Sequence, residues 1–222
     1  MKTNIFDYKL YILDLDGTLY FQKPMRFKML LFLMFSAIRN PANIKKILVV
    51  SSYRKIREHW EHRALPDLEY QQYKAVAENK HCSVEYVQQA VWEFMFNAPL
   101  PYLGKYKDEM LAEKIGQLRR QGKRVVVYSD YPTTEKLKAL QIEVDNTYCA
   151  FDTEIGSLKP RPEGLSYILQ KEQVNMRDAI MIGDRYVKDG QAAINCGMDY
   201  LILPSNRKRR YALLSKIFCN QK

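Results

Sequence analysis

Leu10-Tyr11-Ile12-Leu13-Asp14-Leu15-Asp16-Gly17-Thr18 is the stretch on which the fold of this chain turns. Four apolar residues make a short buried strand, and that strand runs straight into two carboxylates and a Gly-Thr turn. Side chains alternate along a strand, so Asp14 and Asp16, two residues apart, leave it on one face. Toward the C-terminus, strand patterns recur at Arg124–Ser129, Thr147–Phe151, Ala179–Ile182 and Tyr200–Leu203. Around them lie helical patterns at Tyr106–Arg120, Thr133–Leu140, Glu163–Lys171 and Val187–Cys196, with Gly122 and Gly197 as stops. Strands that alternate with helices predict an α/β fold, a parallel sheet covered on both faces.

Between the first strand and this alternation the pattern is helical throughout: Phe27–Ile38, a segment opened by Asn40-Pro41 and running toward Trp60, Pro66–Lys80, and Ser83–Phe96. Pro99, Pro101 and Gly104 mark Asn97–Gly104 as a linker back. The expected architecture is a Rossmann-like parallel-sheet core of residues 1–20 and 105–204 with an inserted α-helical cap over 21–104 and a basic C-terminal tail over 205–222. A chain of 222 residues, 47% hydrophobic and 27% charged, supports a sizeable core and excludes fibrous and wholly disordered classes.

Ligands of such sheets gather at the carboxyl ends of the strands. Those ends carry Asp14 and Asp16, then Ser129-Asp130, then Ser157-Leu158-Lys159-Pro160 in a loop, then Gly183-Asp184 with Asp189 five residues on. Carboxylates crowded on one rim repel each other and are tolerated best around a hard divalent cation, for which oxygen ligands point to Mg²⁺. A lysine and a serine beside them suit a phosphate. Each motif alone also fits an ordinary turn, a solvated loop or a helix cap. Their joint order at four strand ends makes the purely structural reading the weaker one.

Taken together, Asp14-Leu15-Asp16-Gly17-Thr18, Ser129, Lys159-Pro160 and Gly183-Asp184 with Asp189 resemble the four ordered motifs of the haloacid dehalogenase (HAD) superfamily of phosphohydrolases. The insertion is similar to the C1 cap of its phosphoglycolate phosphatase and β-phosphoglucomutase branch. The resemblance implies a Mg²⁺-dependent phosphomonoester hydrolase that acts on a small phosphorylated metabolite through an aspartyl-phosphate. It makes Asp14 the nucleophile and Asp16 the general acid, whose backbone carbonyl also binds Mg²⁺. Asp184 becomes the direct metal ligand, and Asp189 fixes metal-bound water or Lys159 from behind. Lys159 offsets the repulsion between two anions, while Ser129, Thr18 and the backbone near Gly17 and Asp130 hold the phosphoryl oxygens. An acid two residues after the nucleophile favours phosphate chemistry, since a dehalogenase does not need it and a P-type pump typically carries Thr there. A phosphomutase or phosphotransferase uses the same constellation and stays open, as does a non-catalytic protein that binds a phosphate or lipid phosphate.

The formal charge of +10 is unevenly placed. Residues 21–105 carry 13 basic and 7 acidic side chains and residues 205–222 carry 6 and 0, while 1–20 and 106–204 are nearly balanced. An anionic partner is therefore expected at the insertion or the tail. The run Arg207-Lys208-Arg209-Arg210 reads as a solvated end, with weak contact to an anionic membrane surface as its functional option. No nucleic-acid recognition fold accompanies it. Phe27–Ile38 reads as a cap helix buried against its neighbours, and at 12 residues with Lys28 inside it is short of the roughly 20 that cross a bilayer. Cys82, Cys149, Cys196 and Cys219 form no metal or disulfide spacing, which makes the cytoplasm the expected compartment. His59, His62 and His81 have no Cys or carboxylate at metal-ligand spacing, so packing or surface roles are expected.

Overall fold

The computed structural model describes residues 4–61 and 63–218; His62 and Cys219 lie outside the described residues. Five strands form one parallel sheet: β1 (Leu10–Leu13), β2 (Arg124–Ser129), β3 (Asn146–Cys149), β4 (Ala179–Gly183) and β5 (Asp199–Ile202), in the order β3-β2-β1-β4-β5. β1 is central, with Leu13 level with Val127 of β2 and Ile182 of β4. Its four residues are all buried, as are five of the six in β2 and all of β4, because a parallel sheet is covered on both faces and its strands read as unbroken apolar runs.

The period of two divides these residues between two layers. Tyr11, Leu13, Val125, Val127, Ile180 and Ile182 face one core, with Leu111, Ile115 and Leu118 of α6 (Glu109–Arg120). Leu10, Ile12, Val126, Tyr128 and Met181 face the other, with Leu165 and Ile168 of α8 (Glu163–Glu172) and Ala192 and Ala193 of α9 (Gln191–Asn195). This part also carries α7 (Thr134–Leu140) and α10 (Arg207–Phe218).

Between β1 and β2 the chain makes α1 (Gln22–Arg39), α2 (Asn43–His59), α3 (Leu68–Lys80) and α4 (Val84–Val91). They bury a third apolar cluster that includes Val49, Val50, Tyr53, Tyr73, Val76, Val87, Ala90 and Phe94. Ser83 caps α4, its hydroxyl accepting from the Tyr86 amide at 3.2 Å. The helix expected from Pro66 begins two residues later, at Leu68. The linker expected over Asn97–Gly104 is instead helical: a π-turn at Trp92–Asn97, α5 (Leu100–Leu103) and a 3₁₀ turn at Gly104–Tyr106. Proline is tolerated in a first helical turn, and Leu103 is buried against the sheet, so this stretch packs as structure. The expected helix Val187–Cys196 is divided into a π-turn, Tyr186–Gly190, and α9.

Two further expectations are overturned. Phe27–Ile38 is not buried: of α1 only Met25 is, while Phe27, Leu30, Met34, Phe35 and Ile38 are exposed. Nor is the tail a solvated end, because Arg207–Phe218 forms α10, which buries Leu214 and Phe218 in the first core and the whole of Arg210. Its apolar residues were enough to dock it, and charge alone hid that. None of the described helices is long and apolar enough to cross a membrane.

Candidate active site

β1 pairs with strands on both sides, so its last residue hands the following carboxylate to the middle of the rim. The Asp14 amide continues the ladder, donating to Ile182 O at 2.9 Å, and the residue is 6% exposed. One Asp14 oxygen accepts from Lys159 Nζ at 2.6 Å and the other from Thr18 Oγ1 at 3.0 Å. Lys159, 1% exposed, also donates to Asp189 Oδ1 at 2.6 Å. Its position is set by its own amide on Asp130 Oδ1 at 3.1 Å and its carbonyl under Lys188 Nζ at 3.0 Å.

Asp184 follows β4 on the same rim. Asp14, Asp184 and Asp189 each present an oxygen, all three within 4.8 Å of one another. The buried Asp184 Oδ1 has no hydrogen-bond partner among the described residues. A buried carboxylate oxygen left without a donor beside two further carboxylates is the donor set of a hard, oxygen-seeking divalent cation, so these residues fit Mg²⁺. Gly17 makes room: its φ is +102°, and a Cβ there would lie 2.3 Å from Asp184 Oδ2. A Cβ on Gly183 would likewise strike Asp189 Cγ at 2.3 Å.

The electrostatics follow from crowding. Burial, with Asp189 and Asp184 adding to it, outweighs Lys159 and pushes the Asp14 carboxyl up to about 7. Burial and Asp189 push Asp184 up to about 6. Burial opposes the Lys159 ammonium, yet Asp14, Asp189 and Asp130 overcome it and hold its pKa well above the ordinary lysine value. Lys159 is thus a fixed cation, and the anions around it exceed what it can neutralise.

Asp16 sits apart from that cluster. Lys136 Nζ donates to both of its oxygens at 2.6 Å and the Tyr20 hydroxyl donates at 2.5 Å. Burial raises its pKa, but Lys136 and Tyr20 prevail and hold it below the usual carboxylate range. The side-chain oxygens that could hold a metal therefore come from Asp14, Asp184 and Asp189, and those of Asp16 are engaged by Lys136 and Tyr20. Ser129 is buried on the rim with its Oγ accepting from the Tyr131 amide at 3.1 Å.

Several residues of this site escape sequence reasoning. Lys136, in the first turn of α7, belongs to no strand-end motif. Arg57 of α2 is buried against the rim: it donates to Asp130 O and, at 2.8 Å, to Gln72 Oε1, with the Tyr131 and Phe151 rings 4.2 and 4.7 Å from its guanidinium carbon. Lys188 pairs with Glu61 at 2.9 Å, a second tie from the insertion to the rim. Arg210 of α10 donates to Gly17 O at 2.9 Å and Thr18 O at 3.0 Å, the two carbonyls just after Asp16.

A family model described as haloacid dehalogenase-like hydrolase matches residues 8–197. No curated protein matches the chain. Among solved structures, 2-haloacid dehalogenase from Pseudomonas syringae superposes with a TM-score of 0.62 at 17% identity, over 88% of this chain and 86% of that one. A magnesium-bound HAD-hydrolase from Bacillus subtilis gives 0.62 at 15% identity, over 88% of each. A protein from Lactobacillus delbrueckii assigned as a phosphoglycolate phosphatase gives 0.55 at 17%, over 95% of this chain and 98% of that one. Such identities speak for the fold alone. The family match spans β1 to α9, and with it the chain belongs to the haloacid dehalogenase-like hydrolases.

Proposed function

We propose that this hydrolase is a Mg²⁺-dependent phosphatase of small phosphomonoesters, with Asp14 as nucleophile and residues 21–104 as the cap that supplies the leaving-group pocket. One observation carries the reading: a buried carboxylate, Asp14, is paired to a fixed cation, Lys159, while a second carboxylate two residues on is held separately by Lys136 and Tyr20. Hydrolysis of a phosphomonoester needs one carboxylate to attack phosphorus and a second, separate carboxyl to carry the proton.

In the first half-reaction an Asp14 oxygen bonds to phosphorus as the bond to the leaving oxygen breaks, and that oxygen takes a proton from Asp16. In the second, water attacks phosphorus, gives its proton to Asp16 and releases phosphate from Asp14. Lys159 and the Thr18 hydroxyl orient the two Asp14 oxygens, and Ser129, Thr18 and the amides around Gly17 and Asp130 are the proposed phosphoryl cradle. Mg²⁺ held by Asp14, Asp184 and Asp189, with the Asp16 carbonyl, would neutralise phosphoryl charge and polarise its oxygens. Since Lys136 and Tyr20 keep Asp16 ionised, its acid role requires a proton taken up when the substrate's own charge joins the site.

The test uses p-nitrophenyl phosphate and an alkyl phosphate, with 2-chloropropionate as the dehalogenase control. Asp14→Asn is expected to abolish phosphate release, halide release is expected to be absent throughout, and quenching wild-type turnover in acid should trap a phosphate adduct on Asp14. Near-normal turnover by Asp14→Asn removes the covalent step. Transfer of the phosphoryl group to a sugar phosphate faster than to water makes the protein a mutase.

A further inference from the structure

Thirteen large apolar side chains are exposed among the described residues, and seven of them lie within residues 27–48: Phe27, Leu30, Met34, Phe35, Ile38, Ile44 and Leu48. At about 3.6 residues per turn, positions 27, 30, 34 and 38 fall on one stripe of α1, with Phe35 beside it. Phe27, Phe35 and Ile38 are 64, 69 and 76% exposed. The opposite side of α1 accounts for the helix's own packing, since Met25 and Met29 meet the sheet's first core and Phe32 and Leu33 meet the helical one. The outer stripe is therefore surplus to the fold. Ile44 and Leu48, one turn apart on α2, are also exposed, just past a turn that Asn43 closes by donating to Ser36 Oγ at 2.8 Å.

The charge around this stripe is one-sided. Residues 21–57 contain nine Lys or Arg and no Asp or Glu. Arg57 is buried, Lys46 is paired to Glu93 and Lys28 lies over the Tyr102 ring. Lys23, Arg26, Arg39 and Lys55 are exposed and make no ion pair among the described residues. On α1, Arg26 and Lys28 fall on opposite flanks of the apolar stripe by the same helical count.

Soluble surfaces rarely keep so many large apolar groups together without an occupant. A second copy of this chain is a poor one, because a segment with nine cations and no carboxylate of its own would meet itself with like charge. An anionic lipid surface offers both chemistries at once, acyl boundary for the stripe and headgroup charge for its flanks. The helix does not have to span: α1, about 27 Å long, lies flat in the interface in this arrangement. We propose that the outer face of the α1–α2 hairpin docks the protein on anionic bilayers, inserting Phe27, Leu30, Met34, Phe35 and Ile38. The proposal stands whether or not the reaction is phosphate hydrolysis.

Co-sedimentation of the full chain with vesicles of phosphatidylcholine, alone or mixed with phosphatidylglycerol, tests it. The protein is expected to pellet with the mixed vesicles at about 0.05 M salt and to be released at about 0.5 M, where the Debye length is well under 10 Å. Phe35→Glu with Ile38→Glu should weaken binding by more than about tenfold, as should Lys23→Glu with Arg39→Glu. Lys208→Glu with Arg209→Glu on α10 changes the net charge equally and should leave binding within about twofold, which separates a docking face from diffuse attraction. Unchanged circular dichroism and melting exclude misfolding of any variant. No binding to mixed vesicles, or equal weakening by the hairpin and α10 charge pairs, overturns the proposal. So does a dimer in light scattering that Phe35→Glu with Ile38→Glu dissolves while vesicle binding persists.

Discussion

Replacing Arg210 by methionine removes a cation and very little volume from the centre of the molecule. Its guanidinium, 1% exposed, is 3.2 Å from Asp108 Oδ2, itself wholly buried, and donates to Gly17 O, Thr18 O and Pro204 O at 2.9, 3.0 and 2.7 Å. Burial already outweighs the Leu111 amide and Arg210 and holds the Asp108 carboxyl above its ordinary range. Without Arg210 that charge is uncompensated and the carbonyls lose their donor. Breaking a buried pair from one side costs about 3–5 kcal/mol. For a chain of this size each kcal/mol lowers Tm by about 2–4 °C, so Arg210→Met should melt about 6–20 °C below wild type in a thermal scan. Adding Asp108→Asn should restore part of the loss: it deletes the stranded charge, and asparagine still caps α6 where Asp108 Oδ1 accepts from the Leu111 amide at 3.1 Å. A chain ending at Ser205 loses Arg210, Leu214 and Phe218 together and should fare worse than Arg210→Met. If Arg210→Met melts within about 2 °C of wild type, or the double variant melts no higher than the single one, the pairing argument is refuted.

The site yields three more predictions. Asp14 and Asp184 titrate at about 7 and about 6 in the metal-free fold, against about 4 in an unfolded chain, so the native state binds more protons in that window. Their contribution to stability is complete below about 4 and is lost as pH rises through 6 and 7; in EDTA Tm should fall between about pH 5 and 8, and Mg²⁺ should raise it more at the upper end. A flat or rising Tm in EDTA contradicts this. Gly17→Ala places a methyl in the left-handed region against Asp184, and should destabilise by about 1–3 kcal/mol and raise the Mg²⁺ concentration for half-maximal turnover. Wild-type affinity for Mg²⁺ in that variant contradicts it. Asp16→Asn should lower kcat/KM about 10²- to 10⁴-fold on an alkyl phosphate and much less on p-nitrophenyl phosphate, and Lys136→Met should move the alkaline limb of the alkyl-phosphate profile to higher pH. Equal losses on both substrates, with that limb unmoved, remove Asp16 from proton transfer.

Legibility in the sequence follows the physical origin of each element. The sheet could be read because its strands are buried on both faces and so are apolar without interruption, as in Val125-Val126-Val127 and Ile180-Met181-Ile182. Asp14 and Asp184 could be read because strand ends converge by topology alone, and Lys159 and Asp189 because the order of the motifs sets them beside those ends. Once Leu13 is level with Val127 and Ile182, the residues that follow must meet. Lys136, Arg57 and Arg210 could not, since each contributes one charged group across a long separation: Lys136 reaches Asp16 over 120 residues and Arg210 reaches Gly17 over 193. A periodic pattern reports which face of an element is buried. It carries no record of where the tip of a long cation lands.

The basic tail shows the same limit from the other side. Arg207-Lys208-Arg209-Arg210 reads as one charged run, yet Arg210 is 1% exposed while the three before it are exposed. A helix turns successive residues through about 100°, so a run of like charges on it must divide between solvent and neighbour once any apolar residues dock one side. Here Leu214, one turn beyond Arg210, docks that side against the sheet, and Asp108 meets the cation that follows it in. The apolar stripe of α1 is the converse case: helical spacing puts Phe27, Leu30, Met34 and Ile38 on one face, but none of the described residues covers it. Amphipathic pattern predicts that a face will be covered. The covering surface can lie outside the chain, and the one-sided charge of residues 21–57 is what distinguishes a lipid headgroup layer from a second apolar protein face.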